Sequence, residues 1–416
     1  MAEEKEIKQE ESIITLESVL ISKLKHPMAV IAILFVAVFS FLAFSQADIA
    51  RREKESGMRT EIADSTGSKF ETAVVTEITN EGSIEVGGTR YPFQEIKVKV
   101  NSGDRKGDTI EIRNDIQFGS EQAQTVFVGE ELVITSTGEG EEQLYFISDK
   151  YRFPSIMLLF VVFFGLTVVF AGWKGITSII GLGFTIYVLI TYVVPSIVLG
   201  DDPMTISLIG ALMIASVSMY LAHGVNKRIT VALAGTLISI GIAAFLAVLF
   251  VDVARLFGTG SEEAILLTIS SSNGINLKGL LLGGIIFGAL GVLDDVTTAQ
   301  SAAIEELKRA NPKMNFKKLY ESGISIGREH IVSLVNTLVL AYIGSSFPIL
   351  LLFSLNNGVP LWLTFNSEFI IEEVIRTLVG SSALVLAVPI TTVLAAWIFS
   401  KSGVGKDAGH AHAHLH

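Results

Sequence analysis

The sequence predicts a membrane-embedded all-α helical bundle of about eight transmembrane helices, carrying a small extracytoplasmic β-barrel or OB-like domain. Three observations carry that expectation. Of the 416 residues, 50% are hydrophobic and 18% are charged, with mean hydropathy +0.54, which is more apolar than a soluble domain. Apolar runs recur near the ~20-residue length that crosses a hydrocarbon core of about 30 Å. Between the first run and the rest, residues 47–152 switch to short alternating segments bounded by turn residues.

Residues 1–26 are charged, with Ile13, Leu16, Leu20 and Leu24 at helical spacing. They read as a cytoplasmic amphipathic tail along the membrane surface. Residues 27–46 form the first transmembrane helix. The end of its apolar run, Phe44-Ser-Gln-Ala47, has a signal-peptidase flavour, but the run is longer than a signal core and the reading is an uncleaved anchor.

In residues 47–152 the alternation falls at 73–78, 95–100, 109–113, 131–135 and 143–147, with turns at Gly87-Gly88, at 102–104 and at 138–140. Alternation at period two with such punctuation predicts strands. Tyr91, Phe93, Tyr145 and Phe146 are read as core and rim packing ahead of a ligand face.

Residues 153–400 form a seven-helix transmembrane domain, with apolar runs at 154–172, 176–199, 204–222, 229–251, 277–296, 331–353 and 377–400. A cytoplasmic amphipathic segment, 297–330, interrupts it. Basic residues in the connections set orientation. Placing both termini in the cytoplasm puts Lys174, Lys227, Arg228, Lys308, Arg309, Lys313, Lys317, Lys318, Arg328, Lys401 and Lys406 inside, against Arg255, Lys278 and Arg376 outside.

Composition also excludes. A formal net charge of −11 argues against nucleic acid, which needs clustered cations. The chain has no cysteine, so disulfides, thiol catalysis and Cys-based metal sites are absent. HExxH and DDxxD motifs are missing, and no cofactor or metal is expected.

The polar residues of the apolar part are the functional candidates, because ionisable groups inside a bilayer are costly and usually have a task. Asp294 and Asp295 sit about 25 Å along the helix that starts near Leu277, at the 1.5 Å rise per residue. Asn336 and Thr337 lie at matching depth on the following span. Glu329, Ser333 and Asn336 share one face, and His330, Leu334 and Thr337 the next. Thr298 shares a stripe with Asp295. Facing helices would then place carboxylates, an amide and an imidazole together, a cluster suited to a proton or small cation. The competing reading is a solvated pair of aspartates at a helix exit.

Gly279, Gly283, Gly284, Gly288 and Gly291 are small residues read as helix packing. Asp252, Lys278 and Arg376, with Arg255, Glu372 and Glu373, form an outer polar set, read as loop charges before a closing cluster. Pro389 is expected to kink the last span. His410, His412, His414 and His416 bring incidental metal affinity, with no designed site.

The segments Gly288-Ala-Leu-Gly-Val-Leu-Asp-Asp-Val-Thr, Gln300-Ser, Glu306 to Pro312, Gly327-Arg-Glu-His-Ile, Val335 to Tyr342, Arg376 to Ser381 and Leu386 to Thr392 closely resemble the YibE/F family of bacterial membrane proteins, over most of residues 150–400. The resemblance implies a multipass protein of the bacterial plasma membrane, without implying a settled activity. The leading expectation is a permease or ion-coupled, export-associated protein. Its expected partners are the lipid bilayer, a proton or small cation, an unidentified substrate, and an oligomer or other membrane partner. One alternative is a membrane scaffold whose external β domain binds a partner. A lesser one is an intramembrane hydrolase.

Overall fold

The computed structural model describes residues 27–56, 69–86, 89–103, 105–115, 125–137, 144–270, 274–345, 347, 351 and 360–401. The tail at 1–26, the turns Gly87-Gly88 and 138–140, and the terminal histidines lie outside them. The chain divides into two compact units, Glu53–Val169 and Met1–Arg52 with Phe170–His416.

The first unit holds an antiparallel sheet of five strands, β1 (Lys69–Val86), β2 (Thr89–Val100), β3 (Thr109–Asp115), β4 (Glu131–Thr137) and β5 (Leu144–Lys150), in the order β3-β2-β1-β4-β5. Alternation sends Ala73, Val75, Ile96, Val98, Val100, Ile112, Leu132 and Ile134 to one buried face. Register shifts in β1 after Val75 and Ile78 bend the long β1–β2 pair. The outer strands β3 and β5 approach without pairing, so the sheet curls into a half-barrel. The expectation of a barrel or OB-like closure is corrected to that shape. Of the aromatic residues, Phe93 lies under the Arg113 guanidinium, Tyr145 accepts a hydrogen bond from Arg105 (2.6 Å), and Phe146 is exposed.

The Tyr145 hydroxyl, accepting from Arg105, pushes that guanidinium up from its ordinary value. The same unit includes most of α2 (Phe153–Ala171), an apolar helix with no buried residue, the composition of a helix solvated by lipid.

The second unit is helical. α1 (Pro27–Ser56) runs well past the expected first span, so Ala47 lies inside a helix. α3 (Trp173–Val198) contains a π turn at Leu189–Val193. It is followed by α4 (Pro203–His223), α5 (Lys227–Val253), the short α6 (Glu262–Ser270), α7 (Leu277–Ala310), α8 (Phe316–Ser345), α9 (Leu361–Phe365) and α10 (Glu368–Lys401). Among the described residues seven helices, α2 to α5, α7, α8 and α10, are long and apolar enough to cross a membrane. The molecule is thus a membrane protein, and α1 is outside that seven.

Helix starts follow local chemistry. Asp202, Asn226 and Asn276 cap α4, α5 and α7 by accepting from Thr205 N, Ile229 N and Gly279 N at 2.9–3.0 Å, each contact worth about 1 kcal/mol. Gly224, at φ 77°, closes α4. The centre of the unit is α5, α7 and α10 packed together, flanked by α4 and α8. Leu42 of α1 joins the core that α3 and α4 share with α7. Arg52 fastens the far end of α1 by bidentate contact with Asp201 (2.9 and 3.1 Å) and a bond to Leu199 O.

Candidate functional site

The site is built on α7. Helix α7 is unbroken for 34 residues, or about 51 Å at the 1.5 Å rise. The sequence predicts a span that ends at 296, with a separate cytoplasmic amphipathic segment, 297–330, after it. The structure joins them, because Gln300, Ser301 and Ile304 are fully buried against other helices instead of lying on an interface. Asp294 is therefore near the middle of a long helix, about 25 Å from its start.

One turn past Asp294, α7 meets its neighbours through a polar seam. Thr297 Oγ1 contacts Thr236 Oγ1 of α5 at 2.6 Å, both residues being fully buried. Gln300 Nε2 donates to Gly323 O of α8 (2.8 Å) and to Thr392 Oγ1 of α10 (2.7 Å). Ser301 Oγ donates to Arg228 O at the start of α5 (2.9 Å). The helices come this close because glycines line the contact. A β-carbon at Gly235 would collide with Thr391, one at Gly323 with Ile304, and one at Gly327 with Val388. The spacing Gly323-x-x-x-Gly327 was a readable small-residue signal that the sequence analysis passed over. Thr236 carried no signal of its own, and Gln300 and Thr391 carried only their places in the segments that resemble the family.

Asp294 is half-buried, and its Oδ1 is enclosed without a hydrogen-bond partner. Thr298, one turn on along the same stripe, has an enclosed and unpartnered hydroxyl as well. Asp295 is exposed and lies within electrostatic reach of His223 at the end of α4.

The expected meeting with α8 does not form. The α7–α8 seam is apolar, with Val292 and Val296 packed against Ile331, Leu334 and Leu338. Asn336 is about 200° around the helix from Leu334, at 100° per residue, and is exposed, as are Glu329 and Thr337. His330 is half-buried, and the Thr337 hydroxyl donates to Ser333 O within its own helix (3.0 Å). The apolar stripe of α8, and not its polar stripe, turns toward α7. What Asp294 shares its surroundings with is Thr298 and the α5-facing side of α7.

Residues 159–401 match the family model of the YibE/F-like proteins. The chain belongs to the YibE/F-like family. The match takes in α7, α8 and α10, and with them every residue of the seam. No curated protein and no solved structure matches the chain.

The other end of this YibE/F-like protein is held by carboxylates. Glu368 at the start of α10 accepts from Phe257 N (2.6 Å), Gly258 N (3.0 Å), Thr259 N (3.4 Å) and Thr259 Oγ1 (2.9 Å). Buried Glu372, one turn on, accepts from Gly260 N (3.0 Å). Together they staple the connection after α5 to α10. Lys278 pairs with Asp252, joining α7 to α5, and Arg376 stands 3.6 Å from Glu373 on its own helix. Asp252, Lys278 and Glu372 are thus closing contacts where loop charges were favoured, and Glu368 was missed altogether.

Of the five α7 glycines singled out by sequence, Gly279 and Gly283 receive Pro203 and Ser207 of α4, and Gly288 faces the Tyr342 hydroxyl of α8. Gly284 and Gly291 meet nothing within 4 Å, so close packing is corrected for those two. Among the described residues no group of three or more His, Asp or Glu is arranged to hold a metal ion.

Proposed function

We propose that this YibE/F-like membrane protein is a permease or export-associated protein of the bacterial plasma membrane, in which Asp294 is the ion-responsive group. The observation that carries the reading is the enclosed, unpartnered Asp294 Oδ1 halfway along the longest described helices of the bundle. An acid held there among packed helices is where uptake of a proton or small cation can be tied to helix movement. Asp295, exposed beside His223, serves as the entry-side charge. The excess of Lys and Arg in alternate connections supports an arrangement with Asp295 and His223 toward the cytoplasm and the half-barrel outside, where it would receive or gate cargo.

The test is flux across proteoliposomes reconstituted with full-length protein, driven by a proton or sodium gradient. Asp294→Asn is expected to lose at least tenfold of the ion flux, while Asp295→Asn keeps most of it. Full flux in Asp294→Asn defeats the proposal.

A further inference from the structure

Five enclosed side-chain oxygens without hydrogen-bond partners belong to this one region: Ser239 Oγ of α5, Asp294 Oδ1, Thr298 Oγ1 and Gln300 Oε1 of α7, and Thr391 Oγ1 of α10. Ser239, Gln300 and Thr391 are fully buried. Neighbouring hydroxyls behave differently. Thr392 donates to Val388 O (2.7 Å), and in the Thr236–Thr297 pair one hydroxyl donates to the other while the second donates within its own helix, to Ala232 O (3.1 Å) or to Asp294 O (3.2 Å), the usual resort of a hydroxyl in an apolar helix.

Thr391 and Ser239 do not take that resort. The Gln300 amide is pinned by the two bonds its nitrogen donates, which leaves its oxygen as the free end. Pro389, inside α10, has no N–H to offer the carbonyl one turn back. Folded proteins pair the large majority of such groups, because each one left unpaired carries its desolvation cost. A group of five needs a partner that enters from outside the chain.

The arrangement says which partner. The oxygens do not converge on a point. Thr391 sits against Gly235, between α10 and α5, whereas Gln300 sits against Gly327, between α7 and α8. A dehydrated metal cation needs several oxygens at one centre. Separate oxygens strung between helices suit a file of small neutral molecules, each bridging two to four polar groups, and that description fits water.

We propose that the seam between α5, α7 and α10 holds a file of bound water, and that this file makes the ion reaching Asp294 a proton and not sodium. The proposal rests on the reading of Asp294 given above. Of the charged groups, Asp295 neighbours the acid on its own helix; His223, ending α4, is within electrostatic reach of Asp295, and Arg228 opening α5 and Lys174 of α3 are within reach of His223. The α8 and α10 faces packed on this part of α7 bring Ile331, Leu334, Leu338, Leu384 and Val388. Water relays a proton along hydroxyls without needing a coordination shell, so Thr391, Ser239 and the Thr236–Thr297 pair become the walls of the path.

The experiment is radiolytic hydroxyl-radical footprinting of the intact protein, in which a buried side chain is oxidised only where bound water lies beside it. Flux under a proton or a sodium gradient is measured on the same preparations. Oxidation of buried Val388 and Leu293 in the unmodified protein is expected. Thr391→Val should lose it, together with at least tenfold of the proton-driven flux. Ser239→Ala, the milder change, gives the same reading if Thr391→Val does not fold.

Absence of labelling in the unmodified protein, with a higher Tm for either variant, shows a dry seam and overturns the proposal. Flux driven by sodium alone overturns it too. Labelling at Val388 combined with full flux in Asp294→Asn would leave the water in place and sink the reading of Asp294 instead.

Discussion

Replacing Gln300 by leucine separates a polar clamp from mere packing. The substitution keeps volume and removes both donors, those to Gly323 O and Thr392 Oγ1. Gly323 O, inside α8, keeps its helical bond from Gly327 N and loses only its second donor, a loss of about 1 kcal/mol, and the Thr392 contact adds about 1 kcal/mol. Thr392 keeps its bond to Val388 O, so its loss stays at the low end. Removing the free Gln300 Oε1 returns about 1 kcal/mol if that oxygen is dry.

The balance is a destabilisation of about 1 kcal/mol, which corresponds to a fall in Tm of about 2–4 °C for a large domain. The assay is thermal unfolding of full-length protein in detergent, followed by tryptophan fluorescence, with Gln300→Glu as a companion. An unchanged or raised Tm for Gln300→Leu would refute the clamp, since the three helices would then be held by apolar contact alone.

Two further outcomes follow from particular contacts. Gly283→Val forces side-chain atoms into Ser207 and Pro203 of α4 and is expected to cost about 1–3 kcal/mol, whereas Gly284→Val, which meets nothing, should leave Tm within a degree or so; thermal unfolding of the pair checks the contrast. Glu368→Ala removes the acceptor for three successive backbone N–H groups. At about 2 kcal/mol for charge-assisted bonds, amide hydrogen exchange at Phe257–Thr259 should quicken by roughly 30-fold, and unchanged exchange there would show the staple to be idle.

The strands were legible because a half-buried sheet writes itself in period two. Ile96, Val98 and Val100 alternate with Lys97 and Lys99, and the structure buries the apolar set. The spans were legible as lengths of apolar chain. The continuity of α7 was not. Gln300, Ser301, Glu305 and Glu306 lower the hydropathy after Val296 just where the helix goes on, and only tertiary contacts satisfy Gln300 and Ser301.

Facing was harder still. Helical periodicity groups Glu329, Ser333 and Asn336 on one stripe, and Ile331, Leu334 and Leu338 on another. It does not say which stripe meets α7. In α8 the apolar stripe does, since valine against leucine packs without stranding a polar group. Asp294 was legible as a residue but not its neighbours, because Thr236, Ser239 and Thr391 come from helices distant in sequence. The half-barrel order was illegible for the same reason, as β1 pairs not only with its neighbour β2 but also, across a long gap, with β4.

The central claim is that Asp294 is sheltered among helices while Asp295, next to it, is not. Dicyclohexylcarbodiimide, an apolar reagent that modifies carboxyl groups in apolar surroundings, tests this without knowledge of the substrate. The full-length protein in liposomes is treated and the adduct mapped by tandem mass spectrometry. Modification at Asp294, lost in Asp294→Asn and retained in Asp295→Asn, is the result the account predicts. Modification confined to Asp295, or absent from both, would contradict it.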